Sequence, residues 1–331
     1  MMGKILIFWK KRKKLILIIL ACLLASYFLL VNLLVSAALV PSFMEKLEAF
    51  DRITTESYAM QVHTSDIKTR HKQAKDKTKE WYTAVKRQKL VKESSDGYSL
   101  AAEQFFAKED SHKWVLLLHG YTGWKEEMYP FAYWYYGQGF HVVVPDLRCQ
   151  GESEGDFIGM GWTDHFDGML WLEYILAQDS SAEIVIHGQS MGAAAALMIA
   201  GASPPKNVKM VVSDCAYTDA YSMFGEKITE WFSLPAFPIV DTARLLLKLR
   251  GGYDLKDASA IHAVKKSAVP ILFIHGDQDA MVSVQMAKEL YQAANCEKEL
   301  LIVEGAGHAQ SQDKDPKAYF GAIRTYLDKY T

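Results

Sequence analysis

The stretch EIVIHGQSMGAAAALMIA, residues 183–200, decides the fold. Glu183–Ile186 is a short apolar run that reads as a strand, and Met191–Ala202 is an Ala-rich helix. Between them lies Gly188-Gln189-Ser190-Met191-Gly192. A G-x-S-x-G turn from strand to helix is a nucleophile elbow. Its glycines permit the tight turn, which thrusts the Ser190 hydroxyl out above the sheet. The helix behind it offers backbone N–H groups and partial positive charge to a developing oxyanion. The five-letter pattern alone is weak. Its place between a strand and a helix makes it specific.

The same alternation runs outward in both directions. Ser99–Ala107, Lys113–Leu118, His141–Pro145, Val208–Ser213, Ile271–Ile274 and Glu299–Val303 read as further strands. Helices are expected at 126–137, Thr163–Gln178, 283–294 and 315–330. Short continuous apolar strands between helices mean a mostly parallel central sheet with helices on both faces. In such α/β sheets the site lies beyond the carboxyl ends of the strands, so each motif is judged by whether it sits there.

Serine needs a base. Of ten histidines, His308 lies in Glu304-Gly305-Ala306-Gly307-His308, a loop after the last expected strand. His275, His119 and His187 adjoin other strand ends and read as structural or pocket-lining. His63, His71, His112, His141, His165 and His262 lack that setting. The base needs an orienting carboxylate. Asp279 follows the strand ending in His275-Gly276, giving the chain order Ser190, Asp279, His308. Asp277 and Asp214 compete for the role.

With these motifs on the page, residues 97–331 resemble the α/β-hydrolase superfamily. They are most similar to short-lid bacterial esterases and to the monoacylglycerol-lipase-like and prolyl-oligopeptidase-like branches. His119-Gly120-Tyr121 resembles the oxyanion loop. Pro145-Asp146-Leu147-Arg148 through Gly155 resembles the family's P-D-x-R-G-x-G-x-S-x-G loop. The elbow matches at 188–192, His275-Gly276-x-x-Asp279 resembles the acid loop, and Gly305-x-Gly307-His308 resembles the histidine loop. The resemblance implies Ser190 as nucleophile, His308 as base and Asp279 as acid, with the backbone N–H groups of Met191 and Tyr121 as oxyanion donors. It departs at Cys149-Gln150, where the family commonly has Gly-His. Cys149, Cys215 and Cys296 read as buried or incidental.

Residues 216–262 break the alternation and read as a small helical lid. They hold Tyr217, Tyr221, Met223, Phe224, Trp231, Phe232, Leu234 and Phe237, with Pro235 and Pro238 dividing the helices. His119, Tyr217, Tyr221, Phe224 and Met281 are the candidate substrate-binding residues. No metal-ligand spacing, nucleotide loop or cofactor motif occurs, so neither metal nor cofactor is implied. Asp164 and Asp167 read as a helix cap and a surface charge.

The chain has 331 residues, 50% hydrophobic and 23% charged, with a net charge of −2, which is globular composition with no call for nucleic acid. Four cysteines make no disulfide framework. Lys10–Lys14 precedes 26 uncharged residues, Leu15–Val40. As a helix these rise about 39 Å, enough to cross about 30 Å of hydrocarbon. The basic cluster places residues 1–14 in the cytoplasm and the body outside, with Leu15–Val40 as an uncleaved signal anchor. Secretion after cleavage near Val35-x-Ala37 or Ser36-x-Ala38 is the alternative; an h-region this long favours the anchor. Residues 41–96 read as a helical basic neck. Within it Met44, Leu47, Phe50 and Ile53 share one side of a helix over 44–60. Residues 66–92 carry 10 Lys+Arg against 3 Asp+Glu, with Trp81, Tyr82, Val85 and Leu90 as apolar points. That segment packs on the body, lies on anionic headgroups or stands as a solvated stalk.

The expected function is a membrane-anchored, extracytoplasmic serine hydrolase cleaving an ester or thioester of a small or acyl-chain substrate. A peptidase acting on short peptides ranks second and an acyltransferase third. The rival from another class is a catalytically silent binding module of the same fold.

Overall fold

The computed structural model describes residues 2–44 and 65–331; the expected helix over 44–60 lies almost wholly outside them. The body is built on an eight-stranded sheet of order β1-β2-β4-β3-β5-β6-β7-β8. Its strands are β1 Arg87–Glu93, β2 Ser99–Phe105, β3 Lys113–Leu118, β4 His141–Pro145, β5 Glu183–Gln189, β6 Val208–Asp214, β7 Ile271–Gly276 and β8 Lys298–Val303. From β4 through β8 neighbouring strands run parallel, while β2 pairs antiparallel with both β1 and β4.

The parallel strands are apolar at consecutive positions because both faces are covered. In β5, Ile184 and Ile186 pack in the core on one face, and Val185 packs in the core on the other. In β3, Leu116 and Leu118 divide from Val115 and Leu117 in the same way.

The helices are α1 Met2–Leu39, α2 Pro41–Met44, α3 Ser65–Ala84, α4 Tyr129–Gly137, α5 Trp162–Gln178, α6 Met191–Gly201, α7 Ala220–Phe232, α8 Ala236–Arg250, α9 Ala260–Val264, α10 Val284–Ala293, α11 Ser311–Lys314 and α12 Pro316–Tyr330. Side chains of α3, α4 and α12 pack on one face of the sheet; those of α5, α6, α9 and α10 pack on the other. The α7–α8 pair falls within residues 216–262, the segment read as a lid.

Two features depart from the sequence reading. Residues 87–93, expected as part of a helical neck, form β1, paired along its whole length with β2 from Arg87↔Phe105 to Glu93↔Ser99. The sheet therefore begins ten residues before position 97. The preceding helix α3 packs on the body through its aromatic end. The Trp81 ring lies 4.7 Å from Phe105, and Tyr82 stacks on Tyr129 at 5.2 Å. The second departure concerns α1. Its side chains from Arg12 to Ser26 are all exposed, but Val31, Val35, Ala37 and Leu39 are buried against the body. One helix thus has a bare half and a packed half.

Candidate active site

The elbow is strained, as its shape requires. Ser190 sits at φ 55° and ψ −116°, a region non-glycine residues rarely enter. The close approach of α6 to the sheet explains the flanking glycines. A Cβ on Gly188 would meet the Gly192 carbonyl oxygen at 2.1 Å, and one on Gly192 would meet the Leu118 carbonyl oxygen at 2.1 Å. Any side chain at either position would push the helix off its strand. The N-terminus of α6 is thereby held against Ser190, with Met191 fully buried.

Three side chains converge at the carboxyl ends of β5, β7 and β8. The Ser190 Oγ lies 2.7 Å from His308 Nε2, and His308 Nδ1 lies 2.7 Å from Asp279 Oδ2. The other Asp279 oxygen accepts the N–H groups of Met281 and Val282, both at 2.8 Å. Burial alone would raise the Asp279 pKa. The His308 charge and the hydrogen bonds of His275 and His308 outweigh it and hold the carboxyl well below the usual range. Asp279 therefore stays ionised and fixes the imidazole.

The competing aspartates serve elsewhere. Asp277 Oδ1 accepts the Gly305 N–H at 2.6 Å and so pins the loop that carries His308. Asp214 is fully buried, and its Oδ2 accepts from Gln189 Nε2 at 3.1 Å and from the Tyr319 hydroxyl at 3.0 Å. Burial pushes its pKa up. His275 lies within reach of Asp279: its Nε2 is 3.2 Å from Asp279 Oδ2 and 2.9 Å from the Val282 carbonyl. Sequence reading placed His275 only at a strand end; its sharing of the acid was missed. The signal was there, four residues before Asp279.

The loop after β3 covers Ser190. A Cβ on Gly120 would lie 3.5 Å from the Ser190 Cβ. His119 beneath it is fully buried with both ring nitrogens engaged: Nδ1 is 2.8 Å from the Gly120 carbonyl, and Nε2 accepts the Leu147 N–H at 2.8 Å. It ties the β3 and β4 loops together and leaves no ring nitrogen for a substrate. Burial lowers its pKa to about 4, so it is neutral. The Tyr121 hydroxyl donates to the Ala38 carbonyl of α1, which links this loop to the N-terminal helix. Nothing local in the sequence announces that contact.

Among the other candidates, Tyr217 is buried and donates to the Met160 carbonyl at 2.9 Å. The Tyr221 hydroxyl donates to Asp241 Oδ2 at 3.0 Å, joining α7 to α8. Phe224 and Met281 are partly buried against the core. Asp164 caps α5, accepting the Gly161 N–H at 2.7 Å. Asp167 is not the expected surface charge. It is buried and accepts from Arg148 Nε at 2.9 Å and Nη2 at 2.8 Å, because a buried guanidinium needs a paired carboxylate. In the same loop Asp146 receives the buried Lys125 ammonium at 2.6 Å. These pairs brace the β4 loop, and sequence reading missed both.

Cys149 stands at φ 67°, a conformation that favours glycine, the residue that the family resemblance leads one to expect there. Burial raises its thiol to about 11, so it is not a reactive cysteine. Cys215, Asp279 and His308 bring donor atoms within 4.8 Å of one another. The donor set does not suit a metal. The Asp279 and His308 atoms already bond each other, and His308 also engages Ser190.

Comparison with known proteins agrees with this architecture. Relatives include the uncharacterised protein YqkD of Bacillus subtilis, 26% identical over 75% of this chain and 82% of its own length. The thermostable monoacylglycerol lipase of Bacillus sp. (strain H-257) is 25% identical over 65% of this chain and 89% of its own. In structure, the Pyrococcus furiosus esterase Pf2001 superposes with a TM-score of 0.60 at 20% identity, over 75% of this chain and 92% of that one. The alpha/beta hydrolase family itself matches residues 115–322. With that match spanning more than half its length, the chain belongs to the alpha/beta hydrolase family.

Proposed function

We propose that this hydrolase is a serine esterase working through an acyl-enzyme. The observation that carries the reading is the unbroken relay from Ser190 Oγ through His308 to Asp279, with both links at 2.7 Å. His308 Nε2 takes the hydroxyl proton as Oγ attacks an ester carbonyl. Asp279 holds the ring and stabilises the imidazolium. The carbonyl oxygen, now negative, receives the backbone N–H groups of Met191 and Tyr121. Collapse of the tetrahedral intermediate expels the alcohol with the proton from His308. Water, activated by the same imidazole, then frees the acid and restores Ser190.

An ester substrate is favoured because one relative named above is a lipase and the structural neighbour is an esterase. No nucleic acid enters the scheme. We place the protein in a membrane through α1, whose stretch from Arg12 to Leu39 contains an 18-residue window with a mean hydropathy of 2.6. Retention of that helix is supported by its last turns. Val35, Ala37 and Leu39 lie in the core, and the Leu39 carbonyl accepts the Ile158 N–H at 2.9 Å. Cleavage after Ala37 or Ala38 would cut through a packed segment. On this reading residues 1–14 are cytoplasmic and the catalytic body is extracytoplasmic.

The test is hydrolysis of a p-nitrophenyl ester series of rising chain length by the full-length protein, with Ser190→Ala alongside. Turnover lost in the variant, with folding kept, supports the esterase. Labelling of Ser190 by a fluorophosphonate without ester turnover redirects the search to peptides. Neither signal returns the chain to a binding module.

A further inference from the structure

We infer that the lid is a membrane-docking element: the turn between α7 and α8, with the outer face of α8, sits in the lipid of the bilayer that α1 crosses. The inference rests on α1 being a membrane span, and it does not depend on the catalytic assignment.

The geometry begins with the register of α8 against α1. Tyr27 and Thr242 share a hydrogen bond of 2.9 Å between their hydroxyls. Further along both helices, the Arg250 guanidinium donates to Asn32 Oδ1 at 2.8 Å and to the Ser36 hydroxyl at 2.9 Å. Contacts at Tyr27 with Thr242, then at Asn32 and Ser36 with Arg250, mean that α8 runs alongside α1 in the same direction. The α7–α8 turn therefore points back toward the Lys10–Lys14 end of α1.

Length sets the depth. About 30 Å of hydrocarbon takes about 20 helical residues at 1.5 Å each. Counted from Leu15, just past the basic cluster, that reaches Leu34. The body, however, already packs on α1 from Tyr27 onward. Tyr27 and Thr242 thus fall inside the hydrocarbon, and the turn lies on the deeper side of Thr242. The body cannot stand clear of the bilayer while α1 spans it.

The surface chemistry fits that position. Trp231 through Val240 is uncharged. In that stretch Trp231, Phe232 and Leu234 are exposed at 39%, 44% and 42%, and Phe237 at 74%. Leu245 and Leu249, one turn apart on the outer face of α8, are exposed at 52% and 75%. Such contiguous apolar exposure marks an interaction surface rather than a solvated one. The carboxylates Glu226 and Glu230 on α7 are exposed; the other nearby charges are paired or lie at the rim. Asp241 receives Tyr221, and Arg244 pairs with Asp254 at 2.6 Å, both within the body. Lys227 bonds Glu230 and the Ala280 carbonyl. Lys248 and Arg250 sit at the shallow end of α8, where long cations reach the headgroups. The link from Tyr121 to Ala38 then sets the mouth over Ser190 beside the same bilayer.

The experiment uses the full chain reconstituted in phosphatidylcholine vesicles. An environment-sensitive fluorophore is attached at native Cys22, or, in a Cys22→Ser background, at Phe237→Cys, Leu249→Cys or Val91→Cys. Cys22 lies exposed on α1, and Val91 is exposed on the far edge strand β1. Quenching is measured with acyl-chain doxyl lipids and with aqueous iodide. The expected result is several-fold stronger doxyl than iodide quenching at positions 22, 237 and 249, and the reverse at 91. Doxyl quenching at 22 with iodide quenching at 237 and 249 overturns the inference, because α1 then crosses while the lid stands off. Iodide quenching at all four positions overturns it as well, by removing the span. Hydrolysis of a water-soluble p-nitrophenyl ester by each labelled protein checks the fold and separates this outcome from any failure of the esterase reading.

Discussion

The loops around Ser190 and the α7–α8 pair occupy the same end of the sheet, yet they are held in opposite ways. Asp279 alone engages His308, His275, Met281 and Val282, and every one of its partners comes from within the body. Asp277 pins the histidine loop, and His119 pins the oxyanion loop. In the α7–α8 pair Tyr221 bonds Asp241 and Thr242 bonds α1, while Trp231, Phe232, Leu234, Phe237, Leu245 and Leu249 are exposed. The chemistry proposed for Ser190 needs positions held to fractions of an ångström, which redundant supports supply. A surface that docks on lipid, as proposed for this one, needs area and apolarity.

That contrast predicts how variants should rank. Ser190→Ala or His308→Ala should lower kcat by about 10⁴-fold to 10⁶-fold, and the double variant should lose little more than either single one, because the pair acts as a unit. Steady-state kinetics with a p-nitrophenyl ester checks it; additive losses would separate the two residues. Asp279→Asn should cost about 10³-fold to 10⁴-fold in kcat with a small change in KM, since the ring loses its orienting charge but the serine remains.

Stability against acid should follow from the buried histidines that brace the catalytic end and the core beneath it. Burial lowers His119 to about 4 and His187 to about 3. Below about pH 6.5 the unfolded chain binds protons that the folded imidazoles refuse. Their contribution is therefore intact above that pH and is lost as pH falls toward the folded values, at about 1.4 kcal/mol per unit for each histidine. Urea titrations at pH 7, 6 and 5 should show the midpoint falling, and His187→Phe should flatten the decline. The smallest effect belongs to the lid. Phe237→Ser in detergent should shift stability by no more than about 0.5 kcal/mol, because a side chain 74% exposed leaves little packing to lose. A larger loss would place Phe237 in the fold rather than on a docking face.

The residues alone determined the sheet-and-helix alternation, the elbow and the order Ser190, Asp279, His308. Each of these rests on local periodicity or on glycines at fixed spacing, and such signals survive without knowledge of distant contacts. The long apolar run after Lys10–Lys14 is equally local. Which carboxylate reaches His308 was decided only in three dimensions. Asp277 and Asp279 are two residues apart, and only the folding of their loop turns one to Gly305 and the other to the imidazole. Asp167, read as a surface charge, found Arg148 nineteen residues away. β1 escaped notice because it is an edge strand, mostly exposed and rich in charged residues, with no buried face to impose a period. The grip of the body on α1, from Tyr27 against Thr242 to Ala38 against Tyr121, joins residues far apart in the chain. Hydropathy counts a residue's own transfer to lipid and carries no record of what packs against it, so only the tertiary structure could bring the α7–α8 pair to α1.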